Sequence, residues 1–317
     1  MRAIAIFIFS ILLGGVGNPA ENQVSPKGFD KNPIQYPDSC ISYQFEIIPL
    51  PYSELPHTGS LKIARDTSFN RDYDGVSMVE MNGLLYYHPV DLLNRTLAYL
   101  DAFRSGGDSV YLEKASRFLR RLFVESNEID GALFYPYRFD YHVNQQEEGF
   151  MKAPWYSGMA QGLALSALTR MFEITGDSLY FDYSRRTFRS LLREKGKDIP
   201  WVTFRDEAGC LWIDEYPLTP PSRTLNGFIF AIFGLYDYIQ LTADSAARRM
   251  FQESLSTVKN YLPLYRRPGK PSFYGLRFGH YAANYHALHI RQLQYLYKMT
   301  GDAFFRDWAD TLYSDYH

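Results

Sequence analysis

Three short segments of this 317-residue chain combine an aromatic residue with a nearby proline: Tyr86-Tyr87-His88-Pro89, Phe134-Tyr135-Pro136-Tyr137 and Asp214-Glu215-Tyr216-Pro217. Proline restricts the backbone and so fixes where the adjoining side chain points. A phenol beside a carboxyl is a pair of weak acids able to move protons. The chain holds 26 Tyr and 23 Phe, and aromatics make up 17% of it. Flat aromatic faces suit sugar C–H surfaces, and tyrosine adds a hydroxyl. One such loop reads as ordinary packing; three together favour a site doing acid–base chemistry.

Other chemistries leave no trace. There is no Gly-rich phosphate loop, His-Glu-x-x-His or Cys-x-x-Cys, so no cofactor and no metal are expected. His286 and His289 share a helix face, but no third ligand is evident, and a hydrogen-bonding role is favoured. Asn70-Arg71-Asp72-Tyr73-Asp74-Gly75 resembles the opening of a calcium loop. The acid required at its end is replaced by Met81, with Glu80 one place early, so calcium is a minor alternative. Glu147-Glu148 reads as a solvated pair. A net charge of −2 without a long basic run excludes a general nucleic-acid binder.

The elements that must position these loops recur along the chain. Ser105-Gly106-Gly107-Asp108, Thr175-Gly176-Asp177, Thr242-Ala243-Asp244 and Thr300-Gly301-Asp302 are alike, with their Asp residues 69, 67 and 58 positions apart. Glycine suits the left-handed residue that ends a helix, and aspartate caps the next one. Each turn therefore joins two antiparallel helices. The helices before the turns, clearest in 158–172 and 226–239, are apolar on nearly every side and predict burial all round. Those after the turns carry charge on one face, as in Arg185, Arg186, Arg189 and Arg193. The expected fold is all-α, an incomplete (α/α) toroid of about four helical hairpins. A tetratricopeptide solenoid is disfavoured because its period is ~34 residues. In a toroid the aromatic–proline loops gather at one end of the ring.

The N-terminus has Arg2, an apolar run from Ala3 to Leu13 and small residues to Gly17. This reads as a secretory signal over residues 1–20, with an uncleaved membrane anchor as the alternative. Residues 21–65, rich in Pro, Asn and Ser, read as an irregular arm with a short strand at 41–48. The toroid then occupies 66–317. Export makes the protein secreted or periplasmic, and there Cys40 and Cys210 could pair.

The C-terminal half carries an ordered series of motifs. Trp155-Tyr156-Ser157-Gly158-Met159-Ala160-Gln161-Gly162 is followed by Asp214-Glu215-Tyr216-Pro217-Leu218-Thr219-Pro220, Leu225-Asn226-Gly227-Phe228 and Gly234-Leu235-Tyr236-Asp237. Leu262-Pro263-Leu264-Tyr265, Tyr274-Gly275-Leu276-Arg277 and Tyr285-His286-x-x-His289-Ile290-x-Gln292-Leu293 complete it. The series resembles the catalytic C-terminal domain of the glucuronyl 5-epimerases, over about residues 150–310, with a weaker echo near 75–100. The animal enzymes' β-rich middle segment has no counterpart between Tyr99 and Trp155.

The resemblance implies an isomerase that removes the C-5 proton of glucuronic acid in a heparan sulfate-like polysaccharide and returns it from the other face. It implies Glu215, Tyr216, Tyr274 and Tyr285 as catalytic, with Glu215 or Tyr285 as one partner and Tyr216 or Tyr274 as the other. Tyr87, Tyr156, Asn226, Arg277, His286 and His289 would bind substrate, and the assembly could be a homodimer. Arg277 would pair with the uronate carboxylate. A tyrosinate base would need its pKa lowered by ~2 units, roughly 3 kcal/mol, which a neighbouring Arg could supply. A lyase sharing the same first step and a non-catalytic glycan-binding protein are the competing readings.

Overall fold

The computed structural model describes residues 34–196 and 200–317; the expected signal segment lies outside them. After a short helix α1 (Leu61–Arg65), eight long helices form four hairpins: α2 (Pro89–Gly106) with α3 (Ser109–Glu125), α4 (Gly158–Thr175) with α5 (Ser178–Leu191), α6 (Leu225–Thr242) with α7 (Ser245–Tyr265), and α8 (Ala283–Thr300) with α9 (Ala303–Asp315).

The four turns behave as their residues require. Gly107, Gly176, Ala243 and Gly301 end the first helix of each pair in the left-handed conformation, with φ of 72°, 69°, 53° and 69°. Asp108, Asp177, Asp244 and Asp302 then cap the second helix, accepting from Val110, Leu179, Ala247 and Phe304 amides at 2.9–3.0 Å. The threonines contribute too. Thr175, Thr242 and Thr300 each donate to a carbonyl four residues back and accept the N–H of the capping aspartate. The hydroxyl thus links the two helix ends.

Helices α2, α4, α6 and α8 form the inner arc and α3, α5, α7 and α9 the outer one. Residues 158–171 of α4 and 225–239 of α6 are buried throughout. Outer helices bury one stripe, as Ala115, Phe118, Leu119 and Leu122 do in α3. Helices α4 and α6 touch through their backbones. A Cβ on Gly162 would stand 2.3 Å from the Ala231 Cα, and one on Gly234 would stand 2.1 Å from the Gly162 carbonyl oxygen. A buried ion pair, Arg170 with Asp237 at 2.9 Å, joins the same two helices.

Antiparallel strands decorate the connections between hairpins. They are β1 (Asn70–Arg71), β2 (Ser77–Met81), β3 (Leu84–Tyr86), β4 (Asn127–Ile129), β5 (Ala132–Phe134), β6 (Tyr141–His142), β7 (Phe150–Met151), β8 (Thr203–Arg205) and β9 (Leu211–Ile213). Runs this short contain too few alternations to show a period, and the sequence between α3 and α4 reads only as a loop.

The arm is corrected at one point: residues 41–48 are extended but form no strand. Their amides bond to helix side chains instead. Ile41, Tyr43 and Phe45 donate to Asn260, Ser256 and Gln252 of α7. The arm then crosses the C-terminal ends of the inner helices. The Ile48 amide meets the Met299 carbonyl, the Tyr236 hydroxyl bonds to Ile48 and Leu50, and Arg170 donates to the Pro56 carbonyl. A disulfide between Cys40 and Cys210 pins the arm to the β8–β9 hairpin.

Candidate active site

Because every turn sits at the C-terminal end of an inner helix, all four inner helices begin at the opposite end of the arc. The chain returns there through the aromatic–proline loops. His88 caps α2, accepting the Asp91 amide at 3.3 Å with Pro89 in the first turn. Ser157 caps α4. Tyr285 is the third residue of α8. These ends surround a cleft lined by His88, Tyr137, Tyr141, Trp155, Glu215, Tyr216 and Tyr285. Helix N-termini present amide N–H groups and the positive end of the dipole, an environment that favours negative charge.

Glu215 arrives at the end of β9. Its neighbour Asp214 is buried and accepts from the Ser222 amide at 2.9 Å and hydroxyl at 2.6 Å, closing the 215–221 loop. The Asp214 carbonyl takes the Gly158 amide, tying this loop to α4. Glu215 is only 4% exposed. The Tyr274 hydroxyl donates to its Oε1 at 3.1 Å. Burial pushes the Glu215 pKa up to about 8, offset in part by the Tyr216 and Tyr274 hydroxyls and the Gly227 amide. A carboxyl with that pKa exchanges protons near neutrality.

Tyrosines complete the site. The Tyr274 hydroxyl lies 3.2 Å from that of Tyr216, and its ring centroid lies 4.3 Å from that of Tyr285. Tyr274 is placed by its own backbone: its amide bonds to the His280 carbonyl and its carbonyl takes the Leu225 amide. Tyr216 packs between Tyr141 and Trp155, with centroids 5.9 and 6.0 Å away. Burial, then the Glu215 charge, hold Tyr216, Tyr274 and Tyr285 above the usual phenol range and push Tyr141 up to about 12. These shifts run opposite to the lowering that a tyrosinate base would require.

The Arg277 guanidinium, the expected carboxylate clamp, is engaged by backbone carbonyls. Its guanidinium donates to the Pro220 and Glu148 carbonyls, the latter at 2.8 Å, and lies over Phe278. It straps the Tyr216 loop to the 143–149 loop that follows Tyr141. Tyr87 is also elsewhere. Its hydroxyl donates to Asp72 at 2.7 Å beneath the Arg121 guanidinium, in a second cleft beside Tyr86 and Arg138. Tyr156 accepts from Asn127 and packs on Phe134. His286 and His289 are buried against Ser272, and His286 also bonds to the Leu312 and Tyr316 carbonyls. They hold α8 and α9 rather than line the cleft. Asn226 is buried beside the site. Its carbonyl takes the Gln292 side-chain amide, and its own side-chain amide has no hydrogen-bond partner among the described residues.

Asp72 and Asp74 face Arg121 at 3.3 and 3.5 Å, so a guanidinium already balances them. No group of three metal-ligating side chains occurs among the described residues.

Sequence reasoning missed Tyr141. Tyr137, Phe139 and Tyr141 alternate, and an extended chain turns alternate residues to one face. That period of two was the available signal. Tyr137 stacks on Trp155 at 3.9 Å, and the Trp155 indole N–H bonds the Phe139 carbonyl, making one aromatic wall.

Fold and site together define an incomplete (α/α) toroid with a cleft of tyrosines and a buried glutamate at its inner-helix N-termini. Two solved epimerases share the fold: cellobiose 2-epimerase from Bacillus thermoamylovorans (TM-score 0.53, 12% identity, 80% of this chain and 71% of that one) and a sugar epimerase from a ruminal bacterium (TM-score 0.53, 14% identity, 81% and 67%). Residues 129–314 match the model of the D-glucuronyl C5-epimerase C-terminus family, and the chain belongs to that family. A D-glucuronyl C5-epimerase of Caenorhabditis elegans is 33% identical over 178 residues, 49% of this chain and 28% of that protein. An uncharacterized protein of Methanocaldococcus jannaschii is 26% identical over 219 residues, 62% of this chain and 69% of that protein. The chain thus spans little more than a quarter of the worm enzyme.

Proposed function

We propose that the protein is a uronyl C5-epimerase acting on glucuronic acid residues of an acidic polysaccharide. The observation that carries this reading is the convergence of Glu215, Tyr216, Tyr274 and Tyr285 on one cleft, with the carboxyl pKa raised to about 8 and the phenols held higher.

The Glu215 carboxylate takes the C-5 proton. Charge then develops on the substrate carboxyl, where tyrosine hydroxyls and the inner-helix N-termini stabilise it. A cleft tyrosine donates its O–H proton to C-5 from the opposite face, leaving Glu215 protonated and a tyrosinate. The phenol pKa values lie above that of Glu215, so the proton moves downhill from the carboxyl to the tyrosinate. The Tyr274 hydroxyl, between Glu215 and Tyr216, is placed to pass it on. The cycle is balanced without an external reagent.

Incubation with heparosan or another uronate polymer in heavy water should place deuterium at C-5 and yield the inverted residue. Formation of an unsaturated uronate chromophore would mark a lyase instead. Binding without exchange would mark a non-catalytic glycan-binding protein. The disulfide between Cys40 and Cys210 supports a secreted or periplasmic location.

A further inference from the structure

We propose that Gly227 is a positioning residue for Glu215: the missing side chain at the third residue of α6 is the recess in which the carboxyl is seated. A Cβ built on Gly227 would stand 2.3 Å from Glu215 Oε2, 2.6 Å from its Cβ and 2.7 Å from its Cδ. Real Cβ atoms do not approach other heavy atoms that closely, and the three nearest neighbours all belong to one side chain. Backbone strain does not explain the glycine, since it lies inside regular helix. Glycine is also less favourable than alanine in an ordinary helix interior.

The rest of this first turn is fixed from several sides. The Leu225 amide bonds to the Tyr274 carbonyl, and Thr224 bridges to Gly275. The Asn226 carbonyl takes the Gln292 side chain from α8. The turn therefore cannot slide away to accommodate a methyl group, and Glu215 must move instead. One turn of helix holds Tyr274 by its backbone and Glu215 by a gap, which keeps the carboxyl and the phenol at 3.1 Å.

The catalytic consequence rests on Glu215 being the acid–base group; the seat itself does not. Gly227→Ala should lower the C-5 exchange rate at saturating polymer on the order of 10²-fold, the effect of misplacing a reacting group by about 1 Å. KM should change little, and the pH limb of the rate should move. Melting should fall by about 2–6 °C from overpacking. In a Glu215→Gly background, which removes all three clashing atoms, the same Gly227→Ala change should leave melting unchanged or raise it. Equal melting losses in both backgrounds would overturn the seat, as would a Gly227→Ala enzyme with the wild-type rate and pH limb. If the wild-type protein exchanges no uronate polymer, the proposed reaction fails while the melting comparison still decides the seat. If Gly227→Ala alone does not fold, recovery of folding by Glu215→Gly supports the contact, and no recovery overturns it.

Discussion

Replacing Tyr274 by phenylalanine removes one hydroxyl and leaves the ring against Tyr285 and His280. That hydroxyl donates to Glu215 Oε1, and its bond favours the ionised carboxyl. A hydrogen bond to a charged group contributes roughly 1.5–3 kcal/mol. At about 1.36 kcal/mol per pKa unit, its loss raises the Glu215 pKa by about 1–2 units. With a starting value of about 8, about one carboxyl in ten is ionised at pH 7. In the variant that share falls to about one in a hundred or less, so kcat/KM for C-5 exchange drops about 10–100-fold at pH 7. The part of the loss that comes from the shifted carboxyl shrinks as pH rises, because the base form is recovered; the part that comes from the missing proton relay does not. Rates of deuterium incorporation between pH 6 and 10 give both limbs. A limb that stays within about 0.3 units of wild type, or moves down, refutes the view that Tyr274 stabilises the ionised base.

Three further outcomes follow from the same structure. Glu215→Gln should abolish exchange while altering the pH dependence of melting. The folded pKa of Glu215 is raised, so its contribution is full below the ordinary carboxylate range and is lost as pH climbs to about 8; the Gln variant should show a flatter melting profile between those limits. Ala243→Gly should stabilise by about 0.5–1 kcal/mol, since Ala243 holds a left-handed conformation that glycine fills at three of the four equivalent turns; thermal melting checks this. Cys40→Ser with Cys210→Ser opens a loop of 170 residues. Loop-closure entropy makes that loss up to ~5 kcal/mol, and a reductant titration of the wild-type protein should reproduce the lowered melting temperature.

The hairpin repeat was legible because its physics is local. A glycine or alanine that ends one helix and an aspartate that starts the next act within four residues, and an all-apolar helix announces its own burial. From these follow the inner and outer arcs, and with them the fact that all inner helices begin at one end. Glu215, Tyr216, Tyr274 and Tyr285 were legible as motifs, and the structure brings them together. The short hairpins were not read, because runs of two or three residues show almost no period, and Tyr141 was passed over although Tyr137, Phe139 and Tyr141 alternate.

What only the tertiary structure decided is where the long side chains end and which carboxyl is buried. Arg277 sits three residues from Tyr274 in sequence, yet its guanidinium reaches carbonyls 57 and 129 residues away. Tyr87 adjoins His88, but consecutive residues of an extended segment point oppositely, so one faces the cleft and the other faces Arg121. The sequence shows a glutamate next to a tyrosine. That the glutamate's pKa rises to about 8, and the tyrosine's above the usual phenol range, depends on solvent exclusion by segments distant in sequence, among them those carrying His88, Tyr141 and Tyr285, because desolvation raises the pKa of both groups.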